Sequence, residues 1–218
     1  MKSEKKGVVT RKTIVDNARI AFNEKGIALT FETLSKLLSI PKGRITNHFP
    51  TKESLFLAIM ADYEEQMQST IAGMYTQYQS ALLKDYLQVI AAIMDIQYQY
   101  RCGIIYLNVL SPSQHEQSVH IKKTFERNKI SIKNRLESMV KSGILKKDIL
   151  TDAHFNSFIF VYVNMMTQWV IYYDMYDNEK KYKDVKATYL QSLLLYCYHP
   201  HFTDKGLEEY DKLSFNHL

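Results

Sequence analysis

Little in this chain would break or staple a polypeptide. Its 218 residues include four prolines, seven glycines and two cysteines. With so few breakers and no Gly- or Ser-rich stretch, long linkers and disordered tracts are excluded. Cys102 and Cys197 have no metal-ligand spacing and define no disulfide framework, which points to a reduced, cytosolic setting. The polar N-terminus lacks the apolar run of a signal peptide. Long hydrophobic runs are missing as well. Phe155 to Tyr173 is 19 residues without a formal charge, but Asn156, Ser157, Asn164, Thr167 and Gln168 are scattered through it. It reads as a buried helix of a bundle, not a membrane span. Catalytic signatures are lacking too: there is no Gly-rich phosphate loop, no nucleophile elbow and no His pair on one helix face. His115 and His120 are five apart and face different sides of a helix, while His199-Pro200-His201 has no further ligands nearby and reads as a frayed tail. No enzymatic activity, cofactor or metal site is expected.

What is present is helical periodicity, with no strand-like alternation and no internal repeat, so the fold class is all-α. From Arg11 to Lys25, Ile14, Ala18, Ala21 and Phe22 share one stripe, and Gly26 supplies a helix stop. Thr30 is placed to cap a second helix, stapled by Leu29 and Leu34. Ser39-Ile40 is too short for anything but a turn. Pro41 fits the first turn of a third helix confined to residues 41 to 49, with Ile40, Ile45 and Phe49 as inward anchors. Lys42, Arg44, Thr46, Asn47 and His48 are left outside. Two short helices joined by a tight turn, the second rich in donors, form the helix-turn-helix pattern that reads DNA from the major groove.

Charge supports the same surface. Residues 1 to 55 hold 11 Lys/Arg against 5 Asp/Glu, whereas the remaining 163 hold 17 against 18. The net charge of +5 is therefore concentrated in the first quarter, as in a polyanion binder. Lys2, Lys5 and Lys6 extend it as an arm along the groove or backbone. Further helices are expected from Thr51 to about Tyr78, Leu82 to Tyr100, Gly103 to Leu110, Ile121 to Val140 with a stop at Gly143, and about 151 to 176 and 180 to 198. Ser111-Pro112-Ser113 breaks the series, and Pro200 closes the folded part.

Residues 10 to 60 resemble the DNA-binding domain of the tetracycline-repressor (TetR) family of bacterial transcriptional regulators. The resemblance rests on Thr13-Ile14, Ala18, Ala21-Phe22, Gly26, Leu29-Thr30, Leu34, Lys42-Gly43, His48-Phe49, Lys52-Glu53 and Leu55. Three positions depart from it: members usually carry Gly where Ser39 stands, Ser or Thr where Pro41 stands, and a phosphate-touching Tyr where Thr46 stands.

The resemblance implies a three-helix DNA-binding domain at 1–50, a larger helical ligand-binding and dimerisation domain at 51–200 and a tail at 201–218, with nine or so helices. Its DNA contacts are expected from Lys42, Gly43, Arg44, Thr46 and Asn47, with Thr30, His48 and Lys52 clamping the backbone of double-stranded DNA. It also implies a homodimer on a palindromic operator, joined through Phe158 to Tyr176 with Val185 to Tyr196, and most often a repressor released by a small molecule. Tyr98, Tyr106, Phe158, Tyr162, Met165, Trp169 and Tyr173 are candidates to line the effector pocket. Few charges lie among them, so the effector is expected to be neutral or apolar. Two other readings fit the same residues: a DNA-binding regulator controlled by a protein partner, and a ligand-binding dimer that no longer binds DNA.

Overall fold

The protein is all-α in a computed structural model. It describes the backbone of residues 2–77, 82–110 and 115–215, and the side chains of 11–74, 82–108 and 124–215. The break expected at Ser111-Pro112-Ser113, the helix end at Tyr78 and the side chains of Lys2, Lys5 and Lys6 lie outside the described residues. Among the described residues ten α-helices account for most of the chain, and none is long and apolar enough to cross a membrane. The chain divides into two compact units, Met1–Ser69 with Asp95–Pro112, and Thr70–Met94 with Ser113–Leu218.

The first unit is built on α1 (Lys2–Lys25), α2 (Phe31–Leu38), α3 (Lys42–His48) and the first half of α4 (Lys52–Gln77). Helix α1 already begins at Lys2, so the basic start continues the helix where the sequence suggested an arm. Gly26, at φ +88, ends it as expected. Ile14, Ala18, Phe22, Leu34, Ile45, Phe49, Leu55, Phe56 and Ile59 form one core, with Leu29 packed against it. Each large side chain buried there contributes about 1.5–3 kcal/mol. The same core takes in Ile96, Tyr100 and Cys102, from the end of α5 (Leu83–Gln99) and from α6 (Arg101–Leu110). Residue 50 therefore lies inside this unit, because the three-helix head shares its core with Leu55, Phe56 and Ile59 of α4.

A polar latch fixes the α5–α6 corner to α1. Arg19 Nη1 and Asn23 Nδ2 donate to the Gln99 carbonyl at 2.9 and 2.6 Å, Arg101 Nη2 donates to the Asn23 carbonyl at 2.8 Å, and the Cys102 amide donates to Asn23 Oδ1 at 3.0 Å. Tyr100 donates its hydroxyl to Asp62 Oδ2 at 2.6 Å, and Lys12 pairs with Asp62 Oδ1 at 3.2 Å. Burial tends to raise the Asp62 carboxyl, but these two donors outweigh it and hold it below the ordinary carboxylate range.

The second unit contains α7 (His115–Lys141), α8 (Asp152–Tyr172), α9 (Tyr182–Leu193) and α10 (Asp204–Asp211). Each of α8 and α9 runs on into one π-helical turn, at Tyr173–Asp177 and Leu194–Tyr198. Gly143 stops α7 at φ +76. Residues 201–211, expected to belong to a tail, are folded. The Lys146 amide donates to the His201 carbonyl at 2.8 Å, the Thr203 amide donates to the Ile144 carbonyl at 3.1 Å, and Phe202 is 2% exposed. Thr203 then caps α10 by accepting from the Gly206 amide at 3.1 Å. Gly206 is required here, since a β-carbon would stand 2.3 Å from the Ile144 carbonyl oxygen. The local signal is Thr203, an N-cap residue before an amphipathic segment, which a fold ending at Pro200 leaves out.

Candidate nucleic-acid interface

Local chemistry shapes the short helices. Thr30 caps α2, accepting from the Thr33 amide at 3.2 Å, so its hydroxyl is already engaged in holding the helix end. At the turn, Ser39 takes a left-handed conformation, φ 53, where a Gly would carry no steric cost. Three bonds hold it there: Ser39 N to Lys36 O at 3.4 Å, Ile40 N to Ser35 O at 3.2 Å, and Ser35 Oγ to Ile40 O at 2.6 Å. Pro41 sits one place before the expected first turn, as the N-cap of α3, and its carbonyl accepts from Arg44 N at 2.8 Å. With no side-chain cap, α3 depends on its inward anchors, Ile45 at 0% and Phe49 at 1% exposure.

Those anchors orient the rest of α3. Lys42, Gly43, Arg44 and Asn47 are exposed together on one short helix. Thr46 is half-buried and donates its hydroxyl to the Gly43 carbonyl at 3.2 Å, leaving the oxygen's lone pairs as its remaining capacity. His48 is half-buried, its ring 6.3 Å from that of Phe49. Arg11, on α1, stacks its guanidinium over the other side of this corner, 4.9 Å from the Phe49 ring centre. It is an exposed cation beside α3 that the motif reading left out, although it belongs to the basic first quarter.

Lys52 departs from its expected place. Its ammonium donates to the Ile27 carbonyl and lies 5.8 and 6.0 Å from the ring centres of Phe22 and Phe56. Burial lowers its pKa from the ordinary lysine value. The side chain ties the start of α4 to the loop after α1.

The seven pocket candidates are divided between the two units. Tyr106 stacks on Phe56 at 4.0 Å within the first unit's core, and Tyr98 packs under the Arg101 guanidinium at 4.4 Å. In the second unit, Phe158 and Tyr162 stack at 5.4 Å and surround Tyr198. Tyr86 donates to the Tyr162 hydroxyl at 3.1 Å and shares a short hydrogen bond with Tyr198, so three buried hydroxyls satisfy one another. Tyr86 and Tyr198 belong to this cluster, and helical spacing within one segment could not reveal them. Trp169 and Tyr173 form a second cluster with Tyr182, and Met165 meets the Cys197 thiol at 3.7 Å.

Comparison with known proteins sets these observations in context. Residues 14–59 match the family model described as bacterial regulatory proteins, tetR family, and residues 62–210 match that of the TetR bacterial transcriptional repressors. The fold is similar to a TetR-family transcriptional regulator from Marinobacter aquaeolei VT8, with TM-score 0.77 and 17% identity over 93% of this chain and 96% of that one. It is also similar to the TetR family protein CprB from S. coelicolor A3(2), with TM-score 0.67 and 15% identity over 94% of each chain. A third structure, a SmeT–triclosan complex, has TM-score 0.59 and 15% identity over 90% of this chain and 93% of that one. None of the curated proteins matches the chain in sequence.

Proposed function

The chain belongs to the tetracycline-repressor (TetR) family of bacterial transcriptional regulators, and we propose that it is a homodimeric repressor that reads a palindromic operator and leaves it when a small molecule binds. One observation carries the DNA reading: Lys42, Arg44 and Asn47 stand exposed on a seven-residue helix whose opposite side, Ile45 and Phe49, is locked in the core. Arg44 and Asn47 have the donor geometry for base edges, guanine and adenine respectively, and Lys42 suits a phosphate. Thr46 and His48 flank them, Gly43 lets the backbone approach closely, and Thr30 serves as a cap whose helix end faces the same groove. Lys52 acts by positioning α4.

A homodimer doubles the site read by one short helix. Its interface is the stripe Phe160, Asn164, Gln168, Tyr172 and Tyr176 on α8 and its π turn, beside Leu195 and Tyr196; Phe160, Tyr176 and Tyr196 are 71%, 66% and 68% exposed. The effector reading is supported by the aromatic content of the second unit and by similar folds that include a protein named gamma-butyrolactone receptor and the triclosan complex. Phe158, Tyr162, Met165, Trp169 and Tyr173 are the candidates in that unit, and a neutral or apolar effector suits them. Helix α4 begins in one unit and ends in the other, so movement along it changes the spacing of the two heads. A coupling of about 1–3 kcal/mol suffices.

Selection of genomic fragments by the purified protein at two salt concentrations tests the DNA reading. Enrichment of a palindrome that Arg44→Ala relaxes at defined positions supports it. The same weak smear for wild type and variant defeats it.

A further inference from the structure

Folding of the segment after Pro200 brings His201 beside Asp148 and His154, which lie about 50 residues earlier in the sequence. Asp148, in the 3-10 turn Lys147–Leu150, stands between His154, in the first turn of α8, and His201. His154 Nδ1 lies 3.1 Å from the Asp148 carbonyl oxygen and 3.5 Å from its Oδ2, while Oδ1 is 3.8 Å from His201 Nδ1. One donor atom from each of the three lies within 4.8 Å of the others. We propose that Asp148, His154 and His201 form a site for a divalent transition-metal ion of the zinc type, completed by water.

Geometry and donor chemistry both support this. Ligand atoms about 2.0–2.2 Å from a tetrahedral ion stand about 3.3–3.6 Å apart, so these groups need only a small closure. Two imidazoles with one carboxylate form a borderline donor set suited to zinc, cobalt or nickel, and unsuited to calcium or magnesium. His201 Nδ1 is buried and faces the Asp148 carboxylate at 3.8 Å, beyond direct hydrogen-bond reach. The backbone around it is fixed by the bonds from Lys146 to His201 and from Thr203 to Ile144. Lys146, the neighbouring cation, reaches toward the Pro200 carbonyl at 3.5 Å. The positive end of α8 opposes a cation, and the Asp148 carboxylate offsets it. A bound ion would join three elements, the turn after α7, the start of α8 and the strap leading to α10.

The test is titration of the tag-free, full-length protein with Zn2+ by calorimetry, and with Co2+ by visible absorption, which reports N/O coordination directly. One ion per chain is expected, with a rise in the thermal midpoint. His154→Ala, whose ring is half-exposed, retains wild-type circular dichroism and loses the ion, the cobalt spectrum and the thermal shift. Asp148→Asn behaves likewise, and His201→Ala is informative if it folds. Absence of one-to-one binding in the wild type overturns the site. So does binding retained in His154→Ala, which would place the ion on others of the seven histidines.

Discussion

The contrast between Lys42 and Lys52 yields a quantitative prediction. Lys42 is exposed on α3, whereas Lys52 spends its ammonium on the Ile27 carbonyl between the Phe22 and Phe56 rings. Each phosphate neutralised contributes about 0.9 to the slope of log K against log salt. A dimer carries two copies, so Lys42→Ala should flatten the slope by about 1.8. Between 50 and 200 mM salt the wild type should therefore lose about twelvefold more affinity than the variant. Lys52→Met keeps the aliphatic stem but removes the donor and the cation over two rings. It should leave the slope unchanged and cost about 1–2 kcal/mol of stability per subunit. Fluorescence anisotropy on the selected operator at four salt concentrations gives the slopes, and urea denaturation gives the stability. If Lys52→Met flattened the slope as much as Lys42→Ala and left the urea midpoint unmoved, its ammonium would be on DNA and the inward placement would be refuted.

Other substitutions probe other parts of the molecule. Ile45→Ala, at a fully buried position, should destabilise the first unit by about 2–4 kcal/mol and abolish operator binding, read by denaturation and anisotropy. Gly206→Ala forces a β-carbon against the Ile144 carbonyl and the Phe202 ring; a loss of about 2–3 kcal/mol in urea unfolding is expected, and wild-type stability would count against the packed strap. Asp62 has a folded pKa below its unfolded value, so its contribution is complete above about pH 5 and fades as pH falls through the folded value. Asp62→Asn should therefore be less stable than wild type at pH 7, with the difference shrinking in urea melts toward pH 3. Phe160→Glu should convert the dimer to monomer in sedimentation while leaving helicity unchanged.

Much of the first unit is written in its local sequence, and the reason is physical. Gly26, Thr30 and the apolar stripes of α1 and α2 act within a few residues, so spacing alone locates the helices and which side is buried. The outward set on α3 follows from Ile45 and Phe49 by the same argument. What depends on residues distant in sequence was not visible. Neither the joining of α5 and α6 to the head through Asn23, Gln99 and Arg101 nor the tyrosine cluster of Tyr86, Tyr162 and Tyr198 has a periodic signature. Lys52 shows another limit: the resemblance assigns it to the DNA backbone, whereas its ammonium lies on the half-buried Ile27 carbonyl, a contact that no local spacing reveals. The strap after Pro200 was hidden because a proline and two histidines resemble an end, when the partners that hold them lie about 55 residues earlier.

The departures at Ser39, Pro41 and Thr46 can now be weighed against one another. A left-handed Ser costs about 1 kcal/mol relative to Gly, and an N-cap without a side-chain acceptor costs about another. Both act on the stability of the turn, and they also change its donors: Ser39 adds an exposed hydroxyl, while Pro41 lacks the hydroxyl and the N–H of a Ser or Thr. Seven residues are too few to hold a helix by hydrogen bonding alone, so α3 exists because Ile45 and Phe49 are buried and the Ser35 hydroxyl closes the turn at Ile40. Thr46 differs in kind. Its hydroxyl is turned to its own helix at Gly43, so a tyrosine's reach to a phosphate is not reproduced there. The exposed cations at hand for that strand are Lys42 and, from α1, Arg11 over the Phe49 ring. On the proposed DNA reading, backbone affinity should rest more on diffuse positive charge than on a directed hydroxyl, and its dependence on salt should be correspondingly steep.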